Sequence, residues 1–145
     1  MTCWKIRPKP EQMTMQKASL SKISFIIAAV YGMTAVILAA MGSHFFNIER
    51  GSAQYLLFNN AVIFQILHAI LLLWLSTFKE PTFWIRSAIV SLLAGILLFC
   101  GGLFILVIIG KTAISWVTPI GGSLLILAWL NLSIVGFKNF FEQNK

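Results

Sequence analysis

The sequence predicts an all-α, polytopic membrane protein folded as a compact bundle of four transmembrane helices. Three observations carry that prediction. Of the 145 residues, 59% are hydrophobic and only 10% charged, with a mean hydropathy of +0.88, far too few ionisable groups to cover a soluble globule. Four apolar runs each reach the roughly 20 residues that a helix needs to cross a hydrocarbon core. The basic residues gather at the N-terminus and at the ends of those runs instead of spreading over one face, so the formal charge of +7 reads as membrane topology and excludes nucleic acid as the partner.

In chain order, residues 1–21 form a basic N-terminal tail, residues 22–138 hold the four helices, and residues 139–145 form a second tail. The helices are expected at about 23–46, 56–78, 83–109 and 117–137. Lipid offers nothing to hydrogen-bond a backbone, so each run must close its own bonds as a helix, and no ten-residue alternating segments point to a barrel. With the N-terminus cytoplasmic, nine basic residues fall on that side: Lys5, Arg7, Lys9, Lys17, Lys22, Lys79, Arg86, Lys138 and Lys145. Only two, Arg50 and Lys111, fall on the other. Both termini are therefore expected in the cytoplasm. Trp4, Trp74, Trp84 and Trp116 lie near the ends of runs or in their flanks, where amphipathic rings favour the interface, and Trp129 lies deeper as a packing residue. Ala40-Met41-Gly42 has the small residues of a signal cleavage site, but the preceding basic region is too long and the apolar stretch is of spanning length, so the first helix is retained. Cys3 in the tail and Cys100 in the third helix cannot meet in a disulfide.

Small residues mark where helices approach one another. Ala28, Gly32, Ala35, Ala39 and Gly42 recur at spacings of four, three, four and three, a stripe that admits a neighbouring backbone. Ser87, Ser91, Gly95 and Gly102 make a shorter stripe on the third helix, and Gly121-Gly122 a close-approach point on the fourth. Thr118-Pro119 reads as a helix cap followed by a first-position proline, and Asn131 as a donor across to Ser91 or a carbonyl.

Four segments in this order and at this spacing, "MGSHFF", "FQILHAI", "GILLFCGGLFIL" and "TPIGGSLLILAWL", carry a resemblance. From about Ser24 to Gly136 the chain resembles the family called domain of unknown function 423, small bacterial membrane proteins similar to eukaryotic transmembrane protein 256. The family's glycine-alanine-histidine-glycine element stands here as Gly42-Ser43-His44-Phe45. Its tyrosine-glutamine-x-x-histidine-alanine element stands as Phe64 to Ala69, and its threonine-proline-leucine-glycine-glycine element as Thr118 to Gly122. Phe45, Phe64 and Ala128 depart from the family's glycine, tyrosine and glycine. The resemblance implies a four-helix protein of the bacterial plasma (inner) membrane and names no activity.

Gln65 and His68, three residues apart, interrupt the second apolar run "AVIFQILHAILLLWL". Counting 1.5 Å per residue from Lys79 puts His68 about 16 Å deep, near the midplane, where an imidazole must face protein. The candidates to satisfy the pair are Asn59, Asn60, Ser123 and backbone at Gly101-Gly102 or Gly121-Gly122. One reading makes the pair a structural clamp, His68 joined to Gln65 and a carbonyl; the sharper one makes it a proton or ligand site on a polar path. No cofactor is expected. His44 lies about 33 Å along the first helix from Lys22, so it and His68 are offset by half a membrane and cannot clamp one haem, and neither stands in a zinc-ligand spacing.

Enzyme chemistry finds little purchase. Glu11, Glu49, Glu80 and Glu142 all lie in loops or tails, and the adjacent Ser43 and His44 would point about 100° apart on a helix, unsuited to a nucleophile and its base. Two function classes stay open. In the first the protein is a non-enzymatic accessory or assembly component, in contact with lipid and docking another membrane protein or a second copy of itself. In the second it is a small transporter or carrier with a polar site at Gln65 and His68, against which stand the missing intramembrane acids and the lack of inverted halves. The topology has a direct test. A membrane-impermeant thiol reagent applied to intact cells should label a cysteine placed at Ser52 or Thr112 and spare one at Thr14; labelling at Thr14 would reverse the orientation.

Overall fold

The computed structural model describes residues 10–44, 51–109 and 116–143, with side chains over 20–42, 51–109 and 116–142. Four helices account for nearly all of them: α1 Pro10–His44, α2 Ala53–Ser76, α3 Phe83–Ile109 and α4 Val117–Gln143. Each contains a stretch long and apolar enough to span a membrane. Large apolar side chains such as Ile126, Ile108 and Phe137 are 72%, 68% and 67% exposed, surface suited to a hydrocarbon surrounding and not to water. The side chains of Ser43 and His44, and the residues Cys3, Trp4, Arg50 and Lys111, lie outside what is described.

The helix ends follow from local chemistry. Gly51 takes a left-handed φ of 88°, which only glycine adopts at no steric cost, and turns the chain into Ser52. The Ser52 hydroxyl then accepts from the Tyr55 amide at 3.1 Å, so α2 starts three residues before its apolar run does. Thr82, behind Pro81, plays the same part for α3, accepting from the Ile85 amide at 3.4 Å. Two other helices outrun the apolar stretches that announce them by a wider margin. α1 begins at Pro10 instead of 23, because proline suits a first turn and no breaker follows before the span; α4 continues to Gln143. At 1.5 Å per residue the 35 residues of α1 make a rod of about 52 Å, against about 30 Å of hydrocarbon. α4 starts at Val117, so Thr118 lies inside the first turn and not at the cap. Its buried Oγ1 finds no hydrogen-bond partner among the described residues.

Cross-helix contacts at matched depths show the up-down-up-down order. From one end to the other, Ser21 meets Ser76 and Gly42 meets Phe58 between α1 and α2. Phe64 meets Phe99 and Phe58 meets Phe104 between α2 and α3. Trp84 meets Lys138, Ser87 meets Asn131, Gly95 meets Leu125 and Gly102 meets Thr118 between α3 and α4. Helices adjacent in sequence thus pack as neighbours, with α3 at the centre. Ile89, Leu92, Ile96 and Cys100 of α3, Leu72 and Leu75 of α2, Leu125 and Ala128 of α4 and Ala28 of α1 share one core. Asn131 donates to Ser87 at 3.0 Å, one turn from the Ser91 expected to receive it. The N-terminal half of α1, the C-terminal ends of α2 and α4 and the N-terminal end of α3 meet at one end of the bundle, where Lys22, Lys79, Arg86 and Lys138 collect.

The small-residue stripes resolve unevenly. On α1, Ala28 and Ala35 are buried and Gly42 faces the Phe58 ring, but Ala39 is exposed and a Cβ at Gly32 would meet nothing within 4 Å. The packing face of α1 is a seven-residue repeat, and the two residues between its members face outward. The tightest approach is between α3 and α4. A Cβ at Gly121 would run into the Phe99 backbone, one at Gly95 would lie 2.7 Å from Leu125, and one at Gly102 would lie 2.7 Å from the Thr118 hydroxyl. Gly122 leaves ordinary contact with the Phe99 ring, 3.5 Å away, while Gly101 faces open space. Gly121→Ala is therefore expected to push α4 off α3 and lower the melting temperature in detergent, costing about 1–3 kcal/mol. Gly32→Ala should cause no loss. Equal melting temperatures for the two variants would remove the glycine contact from the account.

Candidate functional site

The second helix buries both of its mid-span polar side chains, Gln65 at 5% and His68 at 7% exposure. Separated by three residues, they stand about 60° apart around the helix, enough to address different neighbours. Gln65 turns to α1. Its Nε2 donates to the Tyr31 carbonyl at 2.9 Å and to Thr34 Oγ1 at 2.7 Å. Thr34 is itself bonded back to the carbonyls of Val30 and Tyr31 at 2.9 and 3.0 Å, so the amide docks on a turn already tied together. The same turn reaches a third helix through Tyr31, whose hydroxyl donates to the Leu93 carbonyl of α3 at 3.3 Å.

His68 turns to α4. Its Nδ1 lies 2.7 Å from the Phe64 carbonyl one turn earlier, and Trp129 Nε1 lies 3.3 Å from its Nε2. These partners assign the tautomer. A carbonyl can only accept, so Nδ1 carries the proton; the indole N–H can only donate, so Nε2 offers a lone pair. The neutral ring is then satisfied at both nitrogens. Protonating Nε2 would set two N–H donors against each other and release Trp129. Phe64 lies nearly parallel to the imidazole, 5.7 Å between ring centres and 19° between planes, and Trp129 meets it edge-on at 77°.

The remaining expected members of the site do not join the pair. Asn59 and Asn60 are exposed, and the exposed Ser123 donates to the Pro119 carbonyl of its own helix at 2.9 Å. Nor do Gln65 and His68 bond each other; a single clamp on α2 is in fact two, one to each side. Of their partners, the sequence marked Trp129 as a deep packing residue and did not single out Tyr31 or Thr34, though depth could have paired all three. Counted at 1.5 Å per residue from the basic end, Thr34 and Gln65 lie about 18 and 21 Å deep, and Trp129 and His68 about 14 and 16 Å.

Comparison with known proteins covers most of the chain. Residues 38–122 match the model of the family described as a protein of unknown function (DUF423). A UPF0382 membrane protein of Haemophilus influenzae is 32% identical over 117 residues, covering 78% of this chain and 92% of that protein. One from Staphylococcus aureus is 31% identical over 118 residues, covering 81% and 97%. The UPF0382 inner membrane protein YgdD of Escherichia coli is 28% identical, covering 80% and 89%. No solved structure matches the chain.

The two ties are separable by substitution. His68→Leu should strand the Trp129 N–H and lower stability by about 1 kcal/mol, whereas His68→Gln keeps an acceptor and should lose less. A double-mutant cycle of His68→Leu with Trp129→Phe, followed by reversible unfolding in detergent, should give a coupling of about 0.6 kcal/mol. Strict additivity would mean that the bond contributes nothing.

Proposed function

The chain belongs to the DUF423 family and is similar to UPF0382 membrane proteins; we propose that it is a non-enzymatic accessory or assembly component that docks other membrane proteins in the bacterial inner membrane. Four spans and the gathering of Lys22, Lys79, Arg86 and Lys138 at one end support a multi-pass arrangement with both termini in the cytoplasm. The observation that carries the reading is the double occupation of His68, with Nδ1 on the Phe64 carbonyl and Nε2 on the Trp129 indole. With Nδ1 tied to its own helix and Nε2 tied to α4, the imidazole holds two helices together. To carry a proton it would first have to let go of Trp129.

Gln65 supports the same reading, because both donors of its amide are spent on α1. The described acids whose side chains are placed are Glu80, in the connection between α2 and α3, and Glu142, at the end of α4, both away from the membrane interior where a coupled carrier would use them. With its intramembrane polar groups engaged in architecture, the chain offers partners its outward apolar faces. Lipid alone imposes no specific geometry on such faces, and another membrane protein does.

The test is isolation from native membranes in mild detergent. A membrane protein recovered in fixed stoichiometry, and recovering this chain in return when it is the one tagged, is the expected result. A bound small molecule would instead support the carrier reading, as would a pH-dependent flux in liposomes that His68→Gln abolishes without changing the melting temperature. Either result would overturn the accessory role.

A further inference from the structure

The basic end of the bundle carries a groove of about 410 Å³ between α1 and the C-terminal end of α2, lined by Ser21, Lys22, Phe25, Ile26 and Ser76. Its lining is ordered along α1. Lys22 stands at the outer end, and Phe25 and Ile26, three and four residues on and so on the same side of the helix, continue it one turn deeper. Both apolar side chains are open to the surroundings, at 47% and 63% exposure.

The groove's hydroxyls are already engaged. Ser21 donates to the Ser76 carbonyl, and Ser76 donates to the Leu73 carbonyl at 2.6 Å. The first of these bonds occupies a free acceptor at the C-terminal end of α2 that would otherwise compete for a cation. Lys22 is exposed and has no acidic partner among the described residues, which leaves its ammonium as the outward donor of the groove.

We propose that this groove binds an anionic phospholipid, its phosphate on the Lys22 ammonium and the upper part of an acyl chain against Phe25 and Ile26. A negative charge set directly above hydrocarbon, within one helical turn of about 5.4 Å, is the chemical order of a phospholipid at the interface. A zwitterionic lipid carries its own cation beside the phosphate, so Lys22 favours a head group of net negative charge. The site goes beyond the accessory role and does not depend on it.

Full-length protein reconstituted with equal amounts of phosphatidylglycerol and phosphatidylcholine of the same acyl chains, then read by native mass spectrometry, tests the site. Wild type should retain phosphatidylglycerol about fivefold over phosphatidylcholine. Lys22→Gln should abolish the preference and Lys22→Arg should keep it. Lys138→Gln, at the same end but seated on Trp84 outside the groove, should leave it unchanged. Four results would each overturn the proposal: no preference in wild type, a preference surviving Lys22→Gln, an equal loss in Lys138→Gln, or displacement of the lipid by inorganic phosphate at matched concentration.

Discussion

Hydrocarbon accepts no hydrogen bond, and nearly every feature of this molecule is an answer to that constraint. The backbone closes its bonds within four helices. Among the polar side chains between the interfaces, Ser24, Thr34, Ser123 and Ser133 fold back on a carbonyl of their own helix, while Gln65, Asn131 and Trp129 cross to another. The back-bonded hydroxyls cost little and bring little. The crossing groups decide which helices stand together.

Lipid also removes the force that assembles soluble bundles, since a leucine gains nothing by leaving one hydrocarbon for another. Helices are then held by close contact and by polar bonds, and here the two are divided among the neighbours. α3 and α4 rely on contact: Gly95, Gly102 and Gly121 remove the side chains that would keep the backbones apart, with one polar bond from Asn131 to Ser87. α1 and α2 combine both, the Ala28 and Ala35 face with the Gln65 amide. α2 and α4 are joined by a polar bond, from the Trp129 indole to His68.

Much of this was legible in the sequence because it rests on one-dimensional properties. Apolar length gives the spans, and the Phe83–Ile109 helix coincides with its apolar run. Helix ends are different, since hydrogen bonding continues past the membrane into water, as at Pro10 and Gln143, where no change of hydropathy marks it. Small residues mark permission to approach, not approach itself. Gly32 and Gly121 look alike in the sequence, yet one faces open space and the other a backbone, because only the rotation of each helix decides. The polar pair failed for a related reason. Three residues of separation put Gln65 and His68 on the same side of α2 loosely, but the 60° between them is the angle between two neighbours.

That divergence explains why a helix in the middle of the chain carries the buried amide and the imidazole together. α2 contacts α1 directly and reaches α4 only past α3, so its two flanks need fixing by groups of different reach and direction. The glutamine amide brings two donors to a turn whose Tyr31 carbonyl and Thr34 hydroxyl oxygen can each accept one more bond, which suits adjacent backbones. The imidazole brings a rigid ring whose far nitrogen can meet a long indole where backbones stay apart. Trp129 is 53% exposed, so the indole spends one edge on His68 and leaves much of its surface to lipid. Aligning Phe64 beneath the ring and taking its own proton to the Phe64 carbonyl, His68 presents the one lone pair that this donor requires. A leucine there would pack, but it could not tell α4 where along α2 to stand.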